Sequence, residues 1–360
     1  APAGRAANEP VGSPVSREKQ HTESAPTARQ GESVVMARRP GGAVDRDDFA
    51  VRRRRIAPPG DGEVLIRHQV TSVDPYQLNN MRRHQQVGDI VEAGCVGVVV
   101  ESNDSRAPVG TQVATYSGWT EYSTRRLAAT EFADRALGDE LDWIHVLGTP
   151  GVTAYVGLHD VGGVSAGWTV AVSAAAGAVG GVAVQLAKAA GARVIAIAGG
   201  SDRVRHTTDV LGADIGLDYR TDTFERDLRT AAGNGIDLFF DNVGGSLLRS
   251  TLPLLTASGK AVISGRVSAY VTDEGGPAHP GDPDTEQRTV QGFLVGDYYP
   301  TRLLPVRAEL ARLLEAGQLT TVVSEFEGLG SAPEAFASVF RQGSPYLGKR
   351  VVRIARDQST

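Results

Sequence analysis

The spacing of apolar positions divides the chain into segments with two different rhythms. Between about 36 and 130, short stretches of alternating apolar and polar residues are broken by Gly and Pro. Alternation is typical of half-buried strands, and the close spacing of these stretches predicts an antiparallel, barrel-like domain over 35–150. Its clearest strands are predicted at 62–70, 94–102 and 110–117.

From about 150 to 318, apolar runs of strand length alternate with helical segments. The run 169–174 is followed by a helix that is apolar almost all round and ends at Gly191, and the run 192–198 is followed by a second helix. Alternating strands and helices predict a parallel sheet that is covered by helices on both faces. We therefore expect a doubly wound α/β domain over 151–318.

The two ends of the chain differ from each other. Residues 319–360 return to the pattern of the first segment and end in a predicted strand at 348–355, so we expect them to pair back onto the first domain and make it discontinuous. Residues 1–34 contain almost no large apolar residue. Such a segment cannot bury enough surface to offset its ordering entropy, which predicts a disordered tail.

Composition narrows the class of protein and its partners. The 360 residues are 41% hydrophobic and carry a formal net charge of −5, which favours a globular protein and argues against nucleic acid or an anionic membrane as a partner. The single cysteine, Cys95, excludes an intramolecular disulfide and a cysteine-based metal cluster. The chain lacks a signal-peptide pattern and a run of 18 apolar residues, so the expected location is the cytoplasm.

The stretch "SAAAGAVG" (173–180) joins the first strand to the first helix of the second segment. Ala175, Gly177 and Gly180 occupy the three places of a G-x-G-x-x-G fingerprint, so glycine is kept at the two places that need the closest approach. The N-terminus of the following helix offers unpaired N–H groups to a pyrophosphate. This context predicts a dinucleotide-binding turn.

The end of the second predicted strand indicates which dinucleotide is bound. An acidic residue there would bind the ribose 2′-hydroxyl of NAD, but the sequence "AGGSDRVR" (198–205) has none at the strand end. Arg203 and Arg205 follow, and arginine suits a 2′-phosphate, so we expect NADP(H) with one of these two residues on its 2′-phosphate. Asp202 leaves an alternative open, because it can cap the helix or reach the ribose.

Eight segments between about 60 and 355 carry motifs that occur together in one family. They are "GEVLIRHQVTSVDPY" (62–76), "LGTPGVTAYVGLHDVGGV" (147–164), "VSAAAGAVGGVAVQLAK" (172–188), "LGADIGLDYR" (211–220), "FFDNVGG" (239–245), "ISGRVSAY" (263–270), "GFLVGDY" (292–298) and "YLGKRVV" (346–352). Together they resemble the medium-chain dehydrogenase/reductase superfamily, and more closely its zinc-free branch of prostaglandin reductases and alkenal double-bond reductases.

This resemblance implies a fold and an activity. The fold is α/β, with a Rossmann doubly wound parallel sheet plus a discontinuous GroES-like β-barrel catalytic domain, usually in a homodimer. The activity is NADPH-dependent reduction of the carbon–carbon double bond of α,β-unsaturated ketones or aldehydes, small molecules of the kind met in natural-product or lipid-electrophile metabolism.

The resemblance also implies roles for individual residues. Carried over by matching motif, the cofactor contacts are Gly177, Ala178, Val179 and Gly180 at the pyrophosphate, Tyr219 at the 2′-phosphate, Asn242 along the nicotinamide half, and Ser264, Gly265, Tyr270, Phe293, Leu294 and Val295 around the nicotinamide. Two positions depart from the family. Val204 stands where the family has a lysine for the 2′-phosphate, and Tyr346 stands where an asparagine commonly makes a nicotinamide or phosphate contact.

Reduction of an enone requires a donor to the carbonyl oxygen and a proton for the α-carbon. Tyr270, at the end of a predicted sheet strand, is the first candidate for the donor, and Tyr76 in "VDPY" is the second. Either tyrosine can instead be a wall residue of the pocket. The proton can come from water, and residues 77–93 and 267–290 are expected to frame the substrate pocket.

Other oxidoreductase chemistries fit the sequence less well. A zinc alcohol dehydrogenase needs Cys and His ligands, whereas this chain has one cysteine and no Gly-His-Glu run, so no metal site is expected. None of the nine tyrosines has a lysine four residues on, which argues against a short-chain dehydrogenase. Two alternatives stay open, namely NADPH-dependent quinone reduction and a catalytically weak dinucleotide-binding module.

Overall fold

Three sheets and nine α-helices organise the part of the chain that the computed structural model describes, residues 29–265, 289–341 and 343–354. The strands are β1 (Arg29–Met36), β2 (Phe49–Ile56), β3 (Glu63–Val73), β4 (Gly94–Ser102), β5 (Gln112–Tyr116), β6 (Tyr122–Arg126), β7 (Glu131–Phe132), β8 (Thr169–Ser173), β9 (Arg193–Ala198), β10 (Ile215–Asp218), β11 (Ile236–Asp241), β12 (Leu255–Ile263), β13 (Thr289–Gly292), β14 (Val323–Glu327) and β15 (Lys349–Arg353). The α-helices are α1 (Tyr76–Arg83), α2 (Glu140–Ile144), α3 (Thr149–Tyr155), α4 (Ala178–Ala189), α5 (Ser201–Asp209), α6 (Phe224–Ala232), α7 (Gly245–Thr251), α8 (Tyr299–Glu315) and α9 (Ala332–Phe340). None of these helices is long and apolar enough to cross a lipid bilayer.

The larger α/β unit is built on a six-stranded parallel sheet in the order β10-β9-β8-β11-β12-β13. From β8 the chain moves outward through β9 to β10, then returns to β11 on the other side of β8, so the sheet has a switch point between β8 and β11. The central strands are almost wholly buried, because helices cover both faces. The predicted doubly wound sheet is confirmed.

The second unit is a seven-stranded, mainly antiparallel sheet in the order β14-β15-β3-β4-β5-β7, with β6 also paired to β3. The C-terminal strand β15 lies antiparallel to β3, with Val352 opposite Thr71, and parallel to β14. Strands from both ends of the chain therefore share one sheet. The expected discontinuous catalytic domain, and with it the fold class, is confirmed.

The N-terminal strand corrects one expectation. Residues 1–34 were expected to be disordered, but β1 begins at Arg29 and pairs with β2 along its full length. Val34 and Met36 are fully buried, and the Val34 amide donates to the Trp119 carbonyl at 2.8 Å. The polar residues 29–33 are thus ordered by backbone pairing and by the buried residues that follow them, so the tail boundary at 34 is wrong.

One apolar core connects the two units. It includes Val70 and Val96 of the antiparallel sheet, Val170 of the parallel sheet, and Val306 and Leu310 of α8. Because this core is continuous, the carboxyl edge of the parallel sheet is held beside the ends of β3 and β15.

Candidate cofactor and active site

The loop predicted to hold a pyrophosphate follows β8 and leads into α4. Gly177 is the N-cap in an extended conformation, and the first helical bond runs from the Gly181 amide to the Gly177 carbonyl at 2.9 Å. No side chain caps this helix. The amides of its first turn, at Ala178, Val179 and Gly180, therefore point out of the helix end, where an anion can accept from them.

The sharp bend of the loop explains its glycine pattern. Ala174 takes a φ of 47°, and it is the one non-glycine residue with positive φ among the described residues. A Cβ on Gly180 would lie 2.3 Å from the Ala174 carbonyl oxygen, whereas a Cβ on Gly177 would lie 3.1 Å from it. Ala175 takes no such φ and is fully buried, so alanine is accommodated at the first place of the fingerprint.

A buried polar network ties together the strand ends beneath the loop. The Ser173 hydroxyl donates to the Asp241 carboxylate at 2.6 Å, and the Asn242 side-chain amide donates to the Ser173 carbonyl at 2.8 Å. The Ser264 hydroxyl donates to the Asn242 amide oxygen. Burial raises the pKa of the Asp241 carboxyl, although its hydrogen bonds oppose this shift. The network fixes the ends of β8, β11 and β12 at the switch point.

The end of β9 lies against the two residues that follow β10. Tyr219 donates its amide to the Ala198 carbonyl at 3.1 Å, and the Arg220 guanidinium lies 5.6 Å from the centre of the Tyr219 ring. A Cβ on Gly199 would lie 2.7 Å from Tyr219 Cε1 and 2.8 Å from Arg220 Nε. Glycine at the strand end therefore makes room for an aromatic ring and a cation.

Arg203, Arg220 and Arg350 form what we call the arginine cluster. Arg203 donates to the Ser344 carbonyl, and Arg350 donates to the Ser344 hydroxyl at 3.0 Å. Burial, together with the charge of Arg220, lowers the pKa of Arg203, and burial, together with the charge of Arg203, lowers that of Arg350 to about 10. Within the described ranges no carboxylate forms an ion pair with these three residues. Such a cluster favours a bound anion.

The two arginines predicted for the 2′-phosphate occupy different surroundings. Arg203 joins the cluster, whereas Arg205 pairs with Asp202 one turn away, and both side chains of that pair are largely exposed, at 71% and 83%. The N-cap of α5 is Gly200, so Asp202 does not cap this helix, and its carboxylate is paired with Arg205. Arg220 and Arg350 were missed, and only the "DYR" motif gave a signal for Arg220.

The residues predicted around the nicotinamide follow β12 and β13. Ser264 and Gly265 come directly after β12, and the Phe293 amide donates to the Ile263 carbonyl at 3.4 Å. The Phe293 ring lies against Gly157, where a Cβ would be 2.9 Å from its Cζ atom. Leu294 is 73% exposed and Val295 is partly buried. Tyr270, and residues 267–288 of the predicted pocket loop 267–290, lie outside the described residues.

The second candidate donor, Tyr76, begins α1 beside a largely buried ion pair. The Asp74 carboxylate accepts from the Lys349 ammonium and from the Ser72 hydroxyl, and Lys349 also donates to the Val73 carbonyl at 3.0 Å. Burial raises the pKa of Tyr76 well above its ordinary value, and the negative charge of Asp74 adds to this shift. The Tyr76 hydroxyl is therefore neutral and able to donate a hydrogen bond throughout the ordinary pH range.

Residues 344–350, which we call the connecting segment, touch each part of the site. Ser344 accepts from the arginine cluster, and the Gly348 amide donates to the Ala176 carbonyl of the loop at 2.8 Å. Lys349 holds Asp74. Tyr346 packs on Phe326 with ring centres 4.6 Å apart, beneath the Arg350 guanidinium. The segment thus joins the loop to the turn between β3 and α1, where Asp74 and Tyr76 lie.

Two observations concern catalysis by a cysteine nucleophile and by a metal ion. Burial raises the pKa of the Cys95 thiol to about 11, so the thiolate needed for nucleophilic chemistry is scarce at neutral pH. Among the described residues no group of three or more His, Cys, Asp or Glu side chains is arranged to hold a metal ion.

Comparisons with known proteins cover both units of the fold. A family model described as the N-terminal domain of oxidoreductase matches residues 32–132, and one described as zinc-binding dehydrogenase matches 178–314. The NADPH-dependent curcumin reductase of Escherichia coli (strain K12) is 34% identical over 350 residues, covering 90% of this chain and 96% of that protein. Prostaglandin reductase 1 of Rattus norvegicus is 34% identical over 322 residues, covering 85% and 94%. The structure of CurA from Vibrio vulnificus in complex with NADPH aligns with a TM-score of 0.82 and 31% identity, covering 91% of this chain and 100% of that one.

Proposed function

The chain belongs to the medium-chain dehydrogenase/reductase superfamily, and we propose that it is an NADPH-dependent reductase of carbon–carbon double bonds conjugated to a ketone or aldehyde carbonyl. The observation that carries the cofactor half of this proposal is the arginine cluster at the acid-free end of β9. NADH has no group that would use this charge, whereas the 2′-phosphate of NADPH would.

Along the carboxyl edge of the parallel sheet, the candidate residues lie in the same order as the parts of NADPH that they would bind. The arginine cluster and Tyr219 would hold the 2′-phosphate beside β9 and β10, and the uncapped start of α4 would hold the pyrophosphate after β8. The strand ends after β11, β12 and β13, with Asn242, Ser264 and Phe293, would line the nicotinamide. When bound there, NADPH supplies a hydride to the substrate.

We assign to Tyr76 the task of donating a hydrogen bond to the substrate carbonyl oxygen. A donor must stay protonated while negative charge develops on that oxygen, and burial beside Asp74 favours the protonated form of Tyr76. The Lys349 contact to Asp74 fixes the turn that carries this tyrosine. Tyr270, the first candidate from the sequence, remains the alternative donor.

The test is turnover with a matched panel of substrates. Purified protein is incubated with NADPH and an enal, an enone, a quinone or the corresponding saturated ketone, and the products are identified by mass spectrometry. We expect the enal and the enone to yield the saturated carbonyl compound and the saturated ketone to be inert. Tight NADPH binding without turnover of any panel member would contradict the proposal and favour a binding module, and reduction of the quinone alone would favour a quinone reductase.

We also propose a homodimer and a cytoplasmic location. The support for a dimer is β13, which within the described residues pairs with β12 on one side, ends the parallel sheet and is largely exposed. A free strand edge can pair with the same edge of a second copy around a twofold axis. Light scattering of the purified protein measures the mass directly, and a monomer at micromolar concentration would contradict this arrangement.

A further inference from the structure

Arg350 belongs to a different unit from the other two members of the arginine cluster. Arg350 lies on β15 of the antiparallel sheet, whereas Arg203 lies on α5 and Arg220 follows β10, both in the parallel-sheet unit. Their side chains nevertheless converge, since Arg203 and Arg350 donate to the carbonyl and the hydroxyl of the same residue, Ser344. The two units therefore meet at a point where each contributes a cation.

The neighbours of Arg350 orient its guanidinium without neutralising it. Its Nε atom donates to the Ser338 hydroxyl at 2.9 Å, and an Nη atom donates to the Ser338 carbonyl at 3.3 Å and to the Ser344 hydroxyl. The Tyr346 ring lies 5.6 Å below it. These partners are neutral, and across the described residues no carboxylate from α9, β15 or the connecting segment pairs with it.

Holding two partly desolvated guanidinium groups together without a counterion costs free energy, because each group loses hydration and repels the other. A phosphate monoester would offset both the lost hydration and the repulsion, since its oxygens accept several charge-assisted hydrogen bonds from planar guanidinium groups at once. A structural function alone, such as holding α9, would need only the contacts to Ser338 and would not need a second arginine at Ser344.

We propose that Arg350 is a specificity-determining residue for NADPH, reaching from the antiparallel sheet to the 2′-phosphate that Arg203 and Arg220 bind from the other unit. This rests on the proposed function. In this arrangement the 2′-phosphate links the two units, so a ligand that carries it orders the connecting segment and a ligand without it does not. Discrimination between NADPH and NADH then depends on a residue that lies about 170 positions beyond the fingerprint loop.

The test compares Arg350→Met and Arg350→Lys with a control, Arg341→Met. Arg341 is an exposed arginine at the end of α9 that pairs with Glu334 at 2.9 Å. Calorimetry measures the binding of NADPH, NADH, adenosine 2′,5′-bisphosphate, 5′-AMP and inorganic phosphate to each protein. For Arg350→Met we expect NADPH and the bisphosphate to bind at least tenfold more weakly, with NADH and 5′-AMP unchanged, and for Arg350→Lys an intermediate loss. The control should match the unmodified protein.

Hydrogen exchange of the connecting segment, residues 344–350, supplies a second readout. We expect adenosine 2′,5′-bisphosphate to slow exchange there in the unmodified protein, 5′-AMP and inorganic phosphate to leave it unchanged, and Arg350→Met to abolish the effect. Equal losses for NADPH and NADH, or an unchanged NADPH preference in a folded Arg350→Met protein, would overturn the assignment while leaving the proposed function intact. Failure of the unmodified protein to bind NADPH would overturn both.

Discussion

Replacing Gly199 with alanine separates cofactor selectivity from stability. The new Cβ would lie 2.7 Å from Tyr219 Cε1 and 2.8 Å from Arg220 Nε, so both side chains must move away from the strand end. Gly199 does not have a positive φ, so its backbone accepts alanine without strain. Tyr219 is 43% exposed and can turn towards solvent, so we expect the loss of stability to stay below about 1 kcal/mol.

The effect on the cofactor should be larger, because Arg220 moves away from the 2′-phosphate. A hydrogen bond to a charged group contributes about 1.5–3 kcal/mol, which corresponds to roughly 10- to 100-fold weaker NADPH binding. NADH binding should be nearly unchanged. The assay is titration calorimetry with both cofactors, together with thermal unfolding.

Gly330→Ala is the matched control, since nothing lies within 4 Å of its added Cβ and it lies outside the arginine cluster. If Gly199→Ala leaves the ratio of NADPH to NADH affinity within threefold of the unmodified protein, the steric reasoning is wrong. Equal weakening of both cofactors would instead mean that the loop after β8 has been disturbed.

Three further changes test other parts of the account. Tyr76→Phe should lower kcat by roughly 100-fold while NADPH affinity stays unchanged, because one donor to a developing oxyanion is lost. An unaltered kcat would show that Tyr76 does not take part in the chemistry. Lys349→Met should destabilise the fold by about 2–3 kcal/mol because the largely buried Asp74 carboxylate loses its cation, and Asp74→Asn combined with Lys349→Met should recover much of this loss in denaturant unfolding. Burial lowers the pKa of His145 to about 4 and that of His68 to about 3, so the unfolded chain takes up protons below about pH 6.5 while the folded protein does not. Stability should therefore fall as the pH drops from 6.5 to 4, by up to about 1.4 kcal/mol per pH unit for each histidine, and a folded His68→Gln protein with the same slope would contradict this explanation.

The features that sequence predicted best are those set by local pattern. Apolar runs of strand length followed by helices predict a parallel sheet, and the turn 173–180 can be recognised from its place between a strand and a helix. The absence of an acidic residue at the end of β9 can also be read from the local sequence. These three features were sufficient to predict a doubly wound unit and its cofactor.

The features that sequence missed depend on contacts between distant positions. Arg350 reaches the cluster because β15 pairs with β3 and the connecting segment crosses the loop after β8, which no local pattern encodes. Arg205 was an equal candidate to Arg203 because both follow β9, but Arg205 lies on the exposed side of α5, where Asp202 pairs with it. The order of β1 was missed because polar residues there are held by backbone pairing.

Transfer of deuterium to an enone from NADPH that carries deuterium at both C4 positions would show whether this protein reduces a conjugated double bond. We predict that NMR of the product will show a saturated ketone with the label on the former β-carbon and an intact carbonyl group. Label on a carbinol carbon, or consumption of NADPH without label in the carbon skeleton, would contradict the claim that this protein reduces a conjugated double bond.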